Sequence, residues 1–466
     1  MSNANDYDLI VIGGGPGGYS AAIRGSQLGL KTALVEKADL GGVCLNWGCI
    51  PTKALLHCAE LLHDIRLANR YGIDASVNTV DIGAMVAHSR ETAERLSKGV
   101  AYLMQKNSID VLQGHGVVKE RGVLHVTLAN GNSKDFRSPH IVIATGARLR
   151  LLPGLDASDD CIWTAREAMV PTKIPASLVI IGAGAIGVEF ASFYADLGSK
   201  VTLVEGADRI LPTEDEEISA RMAKALSSRG IECLTQTLFD GVVTAEGEAT
   251  VTVRQGDKRQ ILTCERLLIA VGVEANTQDL GLEQLGVALD RGFIKTNVHG
   301  ATNLAGLYAI GDVAGAPWLA HKAVHEGVAC VENIAGLHSK PAGERLVPGC
   351  IYARPQVASI GMTESAARES GRPVKIGRHD LQANGKALAS GHGNGLVKVI
   401  LDDVTGEILG AHMIGHGVSE QIQGYAIAMG GEITAHEFEE VIFPHPTQSE
   451  AMHEALLDAS GIAINQ

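Results

Sequence analysis

One feature limits the fold of this chain more than any other: it contains the same segment twice. "DLIVIGGGPGGYSAAIRGSQLGLKTALVEKAD", from Asp8, and "SLVIIGAGAIGVEFASFYADLGSKVTLVEGAD", from Ser177, keep one register, so that Gly13, Gly15 and Gly18 recur as Gly182, Gly184 and Gly187. In each copy an apolar, β-branched run (Leu9–Ile12; Leu178–Ile181) enters G-x-G-x-x-G and a helical stretch follows. A second apolar run (Thr32–Val35; Val201–Val204) then ends on a glutamate, Glu36 or Glu205. Strand, helix and strand in that order predict a parallel sheet covered by helices.

The motif carries its own chemistry. The first glycine of each copy permits a tight turn, the second lets backbone approach a pyrophosphate, and the third allows close packing of helix on strand. The helix N-terminus then offers unpaired N–H groups and a partial positive charge to the phosphates. A lone G-x-G-x-x-G is often only a glycine-rich turn; two copies, each in strand-helix-strand context and each ending in glutamate, predict two dinucleotide sites. A carboxylate at Glu36 and Glu205 accepts hydrogen bonds from ribose hydroxyls and repels a 2′-phosphate, so the second dinucleotide is expected to be NAD rather than NADP.

Composition narrows the class. With 466 residues, and roughly 100–200 per domain, about three or four units are expected. The 55 glycines exceed the usual share of about 7%, as expected where backbone closely approaches nucleotides. A net charge of -14 argues against a polyanion-binding surface, so nucleic acid is not an expected partner. "MSNANDYDLIVIGGG" has no basic leader region, and the apolar window around "SLVIIGAGAIGVEFASFYADLG" is cut by glycines and Glu189; a cytoplasmic chain without a membrane partner is expected.

Other segments supply organisation. "IVIATGA" (141–147) reads as a strand and turn closing the first nucleotide unit, and "LLIAVGV" (267–273) as its counterpart in the second. "GLYAIGDVAG" (306–315) is another strand ending in Gly-Asp, with a helical pattern from Ala320 to Ile334. From about Val347 the texture changes to alternating strands and then helices, an antiparallel α+β module with no nucleotide motif.

Eight cysteines are scattered except for Cys44 and Cys49 in "GGVCLNWGCIPTKALL". Across five residues an ideal helix rises about 7.5 Å, too far for a disulfide unless the helix breaks; Gly48 and Pro51 would permit that. Cys49 is expected near the start of a helix over Thr52–Leu62, where the dipole favours a thiolate. Metal ligation and two merely buried cysteines are the alternatives, although no third or fourth ligand follows at short spacing.

"GGVCLNWGCIPTKALL" after the first glycine motif, together with "AIGDVAG", "LAHKAVHEG" and "HPTQSEA", resembles the FAD-dependent pyridine nucleotide-disulfide oxidoreductases along essentially the whole chain. The resemblance implies an α/β protein with two Rossmann-like FAD/NAD(P)-binding domains and a C-terminal α+β dimerisation domain. The segments would be 1–150 and 276–346 for FAD, 151–275 for NAD, and 347–466 for the interface. It implies FAD held by Gly13, Gly15, Gly18, Glu36, Thr145, Gly146, Asp312 and Ala320, and NAD held by Gly182, Gly184, Gly187, Glu205 and Gly272. Cys44 and Cys49 would be a redox-active disulfide, and Lys53 would sit at the flavin, paired with Glu189. His445 would be the base that deprotonates an incoming dithiol, oriented by Glu450 and contributed by the partner subunit of a homodimer.

The activity so implied is NAD-dependent oxidation of a dihydrolipoyl group carried on the lipoyl domain of a 2-oxo acid dehydrogenase-type complex. An NAD(P)H-driven reductase of another disulfide, such as glutathione, is the alternative enzyme, and a flavin-bearing scaffold is the non-enzymatic one. Three departures bear on the substrate: "FPHPT" where the family usually has "HAHPT", no arginine in "VGVEAN" where "GRxPN" is common, and Arg354 in "YARPQ" where an acid is frequent.

Overall fold

The computed structural model describes residues 6–156, 158–337 and 347–465, which group into two compact units. The first is drawn from residues 6–54, 84–150 and 273–337, the second from 55–83, 151–272 and 347–465.

In the first unit the strands Leu9–Ile12, Thr32–Glu36 and His140–Ile143 are apolar along almost their whole length, and Leu9, Ile10, Val11 and Val142 are fully buried. Each such side chain contributes about 1.5–3 kcal/mol when removed from water, so both sheet faces must be covered, which parallel strands with helical crossovers achieve. The resulting seven-stranded sheet runs in the order Leu307–Ala309, His140–Ile143, Leu9–Ile12, Thr32–Glu36, Asp110–Glu120, Val123–Leu128, Ser133–Arg137. Its first five strands are parallel; the last two form an antiparallel meander with the fifth. Chain order reverses at Leu9–Ile12, with Thr32–Glu36 on one side and His140–Ile143 on the other. In open α/β sheets ligands bind at the carboxyl ends of strands at such a reversal.

The second unit repeats the plan. Five parallel strands run in the order Glu232–Leu234, Lys200–Val204, Ser177–Ile181, Arg266–Ile269, Ile162–Trp163, with the reversal again beside the strand that enters the glycine motif. A three-stranded antiparallel meander over Leu238–Ala245, Glu248–Gln255 and Lys258–Cys264 was not visible as a separate sheet in the sequence. The C-terminal part is the expected antiparallel sheet, ordered Gly349–Ile351, Gln356–Gly361, Ile408–Gly415, Leu396–Asp402, Val374–Asp380. Helices Val418–Gly430 and Glu450–Ala459 bury Tyr425, Ala451, Ala455 and Leu456 in one apolar cluster with Val397, Val399, Ala411 and Met413. Gly377 lets the last helix lie against the sheet, since a Cβ there would overlap the Ala455 carbonyl oxygen. No helix among the described residues is long and apolar enough to cross a membrane.

Candidate active site

The two glycine motifs have matching geometry. Gly13 takes φ +105° and Gly182 φ +103°, a region open to glycine, and a Cβ on either would overlap the carbonyl oxygen of Ala144 or Ala270 on the neighbouring strand. The third glycines allow the expected close approach, a Cβ on Gly187 standing 3.5 Å from Ile180 Cγ2 on the strand, and they meet a second partner besides. A Cβ on Gly18 or Gly187 would overlap the carbonyl oxygen of its own motif's first glycine, so these residues close the helix onto the turn as well as onto the strand. The second glycines face space: Gly184 has no atom within 4 Å of where its Cβ would be, and Gly15 only the Cα of Gly42, at 3.9 Å.

Gly15 and Gly184 are the N-caps of helices Pro16–Gln27 and Ala185–Leu197, and neither N-terminus has a side-chain cap. Ala320 likewise begins a helix, Ala320–Ile334, whose N-cap Leu319 offers none. Gly17 faces Ala323 and Gly25 faces Val331, so this helix runs parallel to Pro16–Gln27 and the two uncapped N-termini share one end of the unit. Unpaired N–H groups beside a Cβ-free backbone suit a pyrophosphate, so the residues present fit a dinucleotide in both places.

Glu36 and Glu205 hold their own motifs in shape. Glu36 Oε2 accepts from Gly14 N at 2.6 Å and Oε1 from Ala38 N at 2.7 Å, while Glu205 Oε2 accepts from Ala183 N at 2.7 Å and Oε1 from Ala207 N at 2.8 Å. A carboxylate offers about four lone-pair sites, which leaves capacity for ribose hydroxyls. On the closing turn of the first unit, Thr145 Oγ1 donates to Asn276 O at 2.7 Å, Asn276 Nδ2 donates to Thr145 O at 2.9 Å, and Asn276 N donates to Gly146 O at 3.0 Å. Asn276 was not among the expected site residues; it is the last residue of "VGVEAN", where the overlap with "GRxPN" was the available signal. Gly272, at φ +98°, precedes the pairing of Val273–Ala275 with Ala147–Leu149. There Arg148 pairs with Glu274 at 2.7 Å, one position after the missing arginine of "VGVEAN". Asp312 stands half-buried in the turn Gly311–Ala314; burial pushes its carboxyl up, with Lys322 pulling it down and Glu326 pushing it further up.

The cysteine pair is a disulfide with Cα atoms 4.7 Å apart. The helix does break where geometry requires: one helix covers Gly42–Trp47, Gly48 interrupts, and a second covers Cys49–Leu67, longer at both ends than the expected Thr52–Leu62. Gly48 permits the approach, because a Cβ there would stand 3.0 Å from Val43 O and 3.4 Å from Cys44 Cα. Cys49 is the first residue of its helix and is exposed, Cys44 half-buried. The segment lies on the first glycine motif: a Cβ on Gly42 would come 2.7 Å from Gly15 Cα. Lys53 lies one turn further along the second helix, in the first unit; Glu189, buried on helix Ala185–Leu197, belongs to the second and accepts from Tyr352 N at 2.9 Å.

His445 Nδ1 lies 2.8 Å from Glu450 Oε1, and Glu450 Oε2 accepts from Thr447 N at 2.8 Å. Burial works against charge on Glu450, but the bonds from Thr447 and His445 hold its carboxyl below the usual range. The His445 ring is 79% exposed. Phe443, the departure in "FPHPT", packs between Phe438 and His453, with ring centroids at 5.6 and 5.2 Å. Arg354, the departure in "YARPQ", is tied to Asp196 at 2.5 Å and faces His63 Nε2 at 3.0 Å, within the second unit.

Two dinucleotide loops and a disulfide built onto one of them define a pyridine nucleotide-dependent flavoprotein of thiol–disulfide chemistry. Residues 7–327 match the family model "Pyridine nucleotide-disulphide oxidoreductase", and residues 347–456 match the dimerisation domain of that family. The chain belongs to the pyridine nucleotide-disulphide oxidoreductases, and its cofactors are FAD and NAD. Among curated relatives it is 49% identical to dihydrolipoyl dehydrogenase of Zymomonas mobilis, over 99% of this chain and 100% of that one. It is also 49% identical to dihydrolipoyl dehydrogenase of Rhizobium etli over the same shares, and 41% identical to that of Bacillus subtilis, again over 99% and 100%. Among solved structures it resembles LpdA of Mycobacterium tuberculosis, with TM-score 0.89, 26% identity and 96% and 98% of the two chains covered. The HOCl-induced flavoprotein disulfide reductase RclA of Escherichia coli is similar too, with TM-score 0.85, 26% identity and coverage of 97% and 99%.

Proposed function

We propose that this chain is a dihydrolipoyl dehydrogenase, oxidising a protein-bound dihydrolipoyl group and delivering the electrons to NAD. The observation that carries the reading is the Cys44–Cys49 disulfide at a helix N-terminus, on a loop seated against the pyrophosphate-type glycine Gly15. Four relatives at 41–49% identity over nearly the full chain, each named dihydrolipoyl dehydrogenase, support the choice of substrate.

His445 takes the proton of one substrate thiol, with Glu450 fixing the ring through Nδ1 and balancing the imidazolium. The substrate thiolate attacks Cys44 Sγ; the Cys44–Cys49 bond breaks, a mixed disulfide forms, and Cys49 leaves as a thiolate favoured by its helix N-terminus. The second substrate thiol closes on the mixed disulfide, releasing lipoyl disulfide and Cys44 thiol, so the enzyme gains the electron pair that the substrate loses. Bound FAD would supply the two-electron carrier chemistry that links this dithiol to NAD. Gly13, Gly15, Gly18, Glu36, Thr145, Gly146, Asp312 and Ala320 would hold FAD, and Lys53, one turn past Cys49, would serve the same site. Gly182, Gly184, Gly187, Glu205 and Gly272 would hold NAD, with Glu189 on the helix that starts at this motif.

We assign residues 1–150 and 276–346 to the FAD part, 151–275 to the NAD part and 347–466 to the interface of a homodimer in which the partner supplies the base. The partner protein is the lipoyl domain of a 2-oxo acid dehydrogenase-type complex, and the location is the cytoplasm. Steady-state NADH formation from dihydrolipoamide and NAD tests the reading. The wild type turns over and Cys49→Ser retains flavin without turnover; a flavin-bearing wild type that forms no NADH contradicts it.

A further inference from the structure

Lys322 is only 6% exposed, although it lies in the helix Ala320–Ile334, where an apolar residue would pack without penalty. A buried ammonium is costly unless it is paired, and an ion pair is often no better for stability than apolar side chains of the same size, so helix packing gives no reason for it. Its contacts do. Lys322 Nζ pairs with Glu326 Oε1 at 2.8 Å, one helical turn on, and donates to Gly315 O at 3.2 Å. The other oxygen, Glu326 Oε2, accepts from Gly311 N at 2.8 Å. Gly311 and Gly315 bracket the turn Gly311–Ala314, both at positive φ (+71° and +114°), a region that glycine enters without strain. One ion pair thus grips both ends of the turn that carries Asp312.

We infer that Lys322 and Glu326 are positioning residues for FAD, holding the Gly311–Ala314 turn so that Asp312 is presented to the cofactor. The inference rests on the reading of Asp312 as an FAD ligand. Lys322 also supplies the positive charge that keeps the half-buried Asp312 carboxyl from rising further beside Glu326.

The test is FAD release on dilution of the holoenzyme, followed by flavin fluorescence, for wild type, Lys322→Gln, Glu326→Gln and the double variant. Glu332→Gln is the control. It removes the 2.6 Å pair to Arg24 between the same two helices, so it reports general loosening of that packing without touching the turn. Each single variant weakens FAD retention at least tenfold, the double variant is no weaker than the worse single one because the pair acts as a unit, and Glu332→Gln stays within twofold of wild type. Retention within twofold of wild type in the single variants overturns the inference, as does an equal loss in Glu332→Gln. Glu326→Gln, which is isosteric, decides alone if changes at 322 prevent folding. A flavin-bearing wild type with unaffected variants sinks only this inference; a wild type that binds no flavin sinks the functional reading beneath it.

Discussion

Glu450 divides its two oxygens between an exposed histidine and a backbone amide, and that division fixes how it answers to pH. Its carboxyl is held below the ordinary value of about 4.3, so its contribution to stability is complete above that value and lost as pH falls through the lower folded-state one. Glu450→Gln should therefore lower the urea midpoint at neutral pH and match wild type at strongly acid pH; equal midpoints at neutral pH would show that the bonds contribute nothing. As the proposed base, His445 serves only the thiol half-reaction. Replacing His445 with Gln should slow dihydrolipoamide oxidation by about 10²–10⁴-fold while leaving reduction of the flavin by NADH intact, because the hydride step moves no thiol proton. Stopped-flow traces of the two half-reactions check this, and a variant slowed equally in both would remove His445 from the role of base.

The nucleotide-binding elements invite a contrast between two glycines of one motif. A Cβ at 187 would overlap the Gly182 carbonyl, whereas one at 184 meets nothing within 4 Å. Gly187→Ala should lose about 1–3 kcal/mol of stability by overpacking. Gly184→Ala should fold normally and raise the KM for NADH by about 10–100-fold, because N–H bonds to a charged phosphate are each worth roughly 1.5–3 kcal/mol. Urea titration and steady-state kinetics separate the two, and equal stability of both variants would contradict the packing argument. These elements were legible because the repeat states strand, turn and helix in one register, and because Cys44 and Cys49 demand a helix break that Gly48 supplies. Less legible were features set by tertiary neighbours. That Glu36 and Glu205 secure backbone amides of their own loops follows from turn geometry that spacing does not encode. Asn276 reaches Thr145 only because two distant strand ends meet. The meander at 238–264 has no motif, only alternation too short to assign to its own sheet.

At the scale of the whole molecule, a charge cluster in the second unit joins residues 151–272 to the C-terminal segment 347–465. Lys398 and Asp215 are 3% and 2% exposed and 2.8 Å apart, with Glu364 also 2.8 Å from the ammonium. Burial works against both charges, and their hydrogen bonds more than offset it, holding Lys398 above and Asp215 below their ordinary ranges. Lys398→Ala should lose about 3–5 kcal/mol in urea unfolding, since it strands a buried carboxylate; a loss comparable to that of an exposed lysine would refute the role. The central claim concerns electron flow through Cys44, Cys49 and FAD, and anaerobic reduction tests it most directly. The purified protein is treated with dihydrolipoamide and, separately, with NADH while the visible spectrum is recorded. Both reagents should produce the long-wavelength band of a thiolate beside oxidised flavin, and Cys44→Ser should abolish the response to dihydrolipoamide. Reduction by NADPH with no response to dihydrolipoamide, or a protein with no flavin spectrum, would contradict the account.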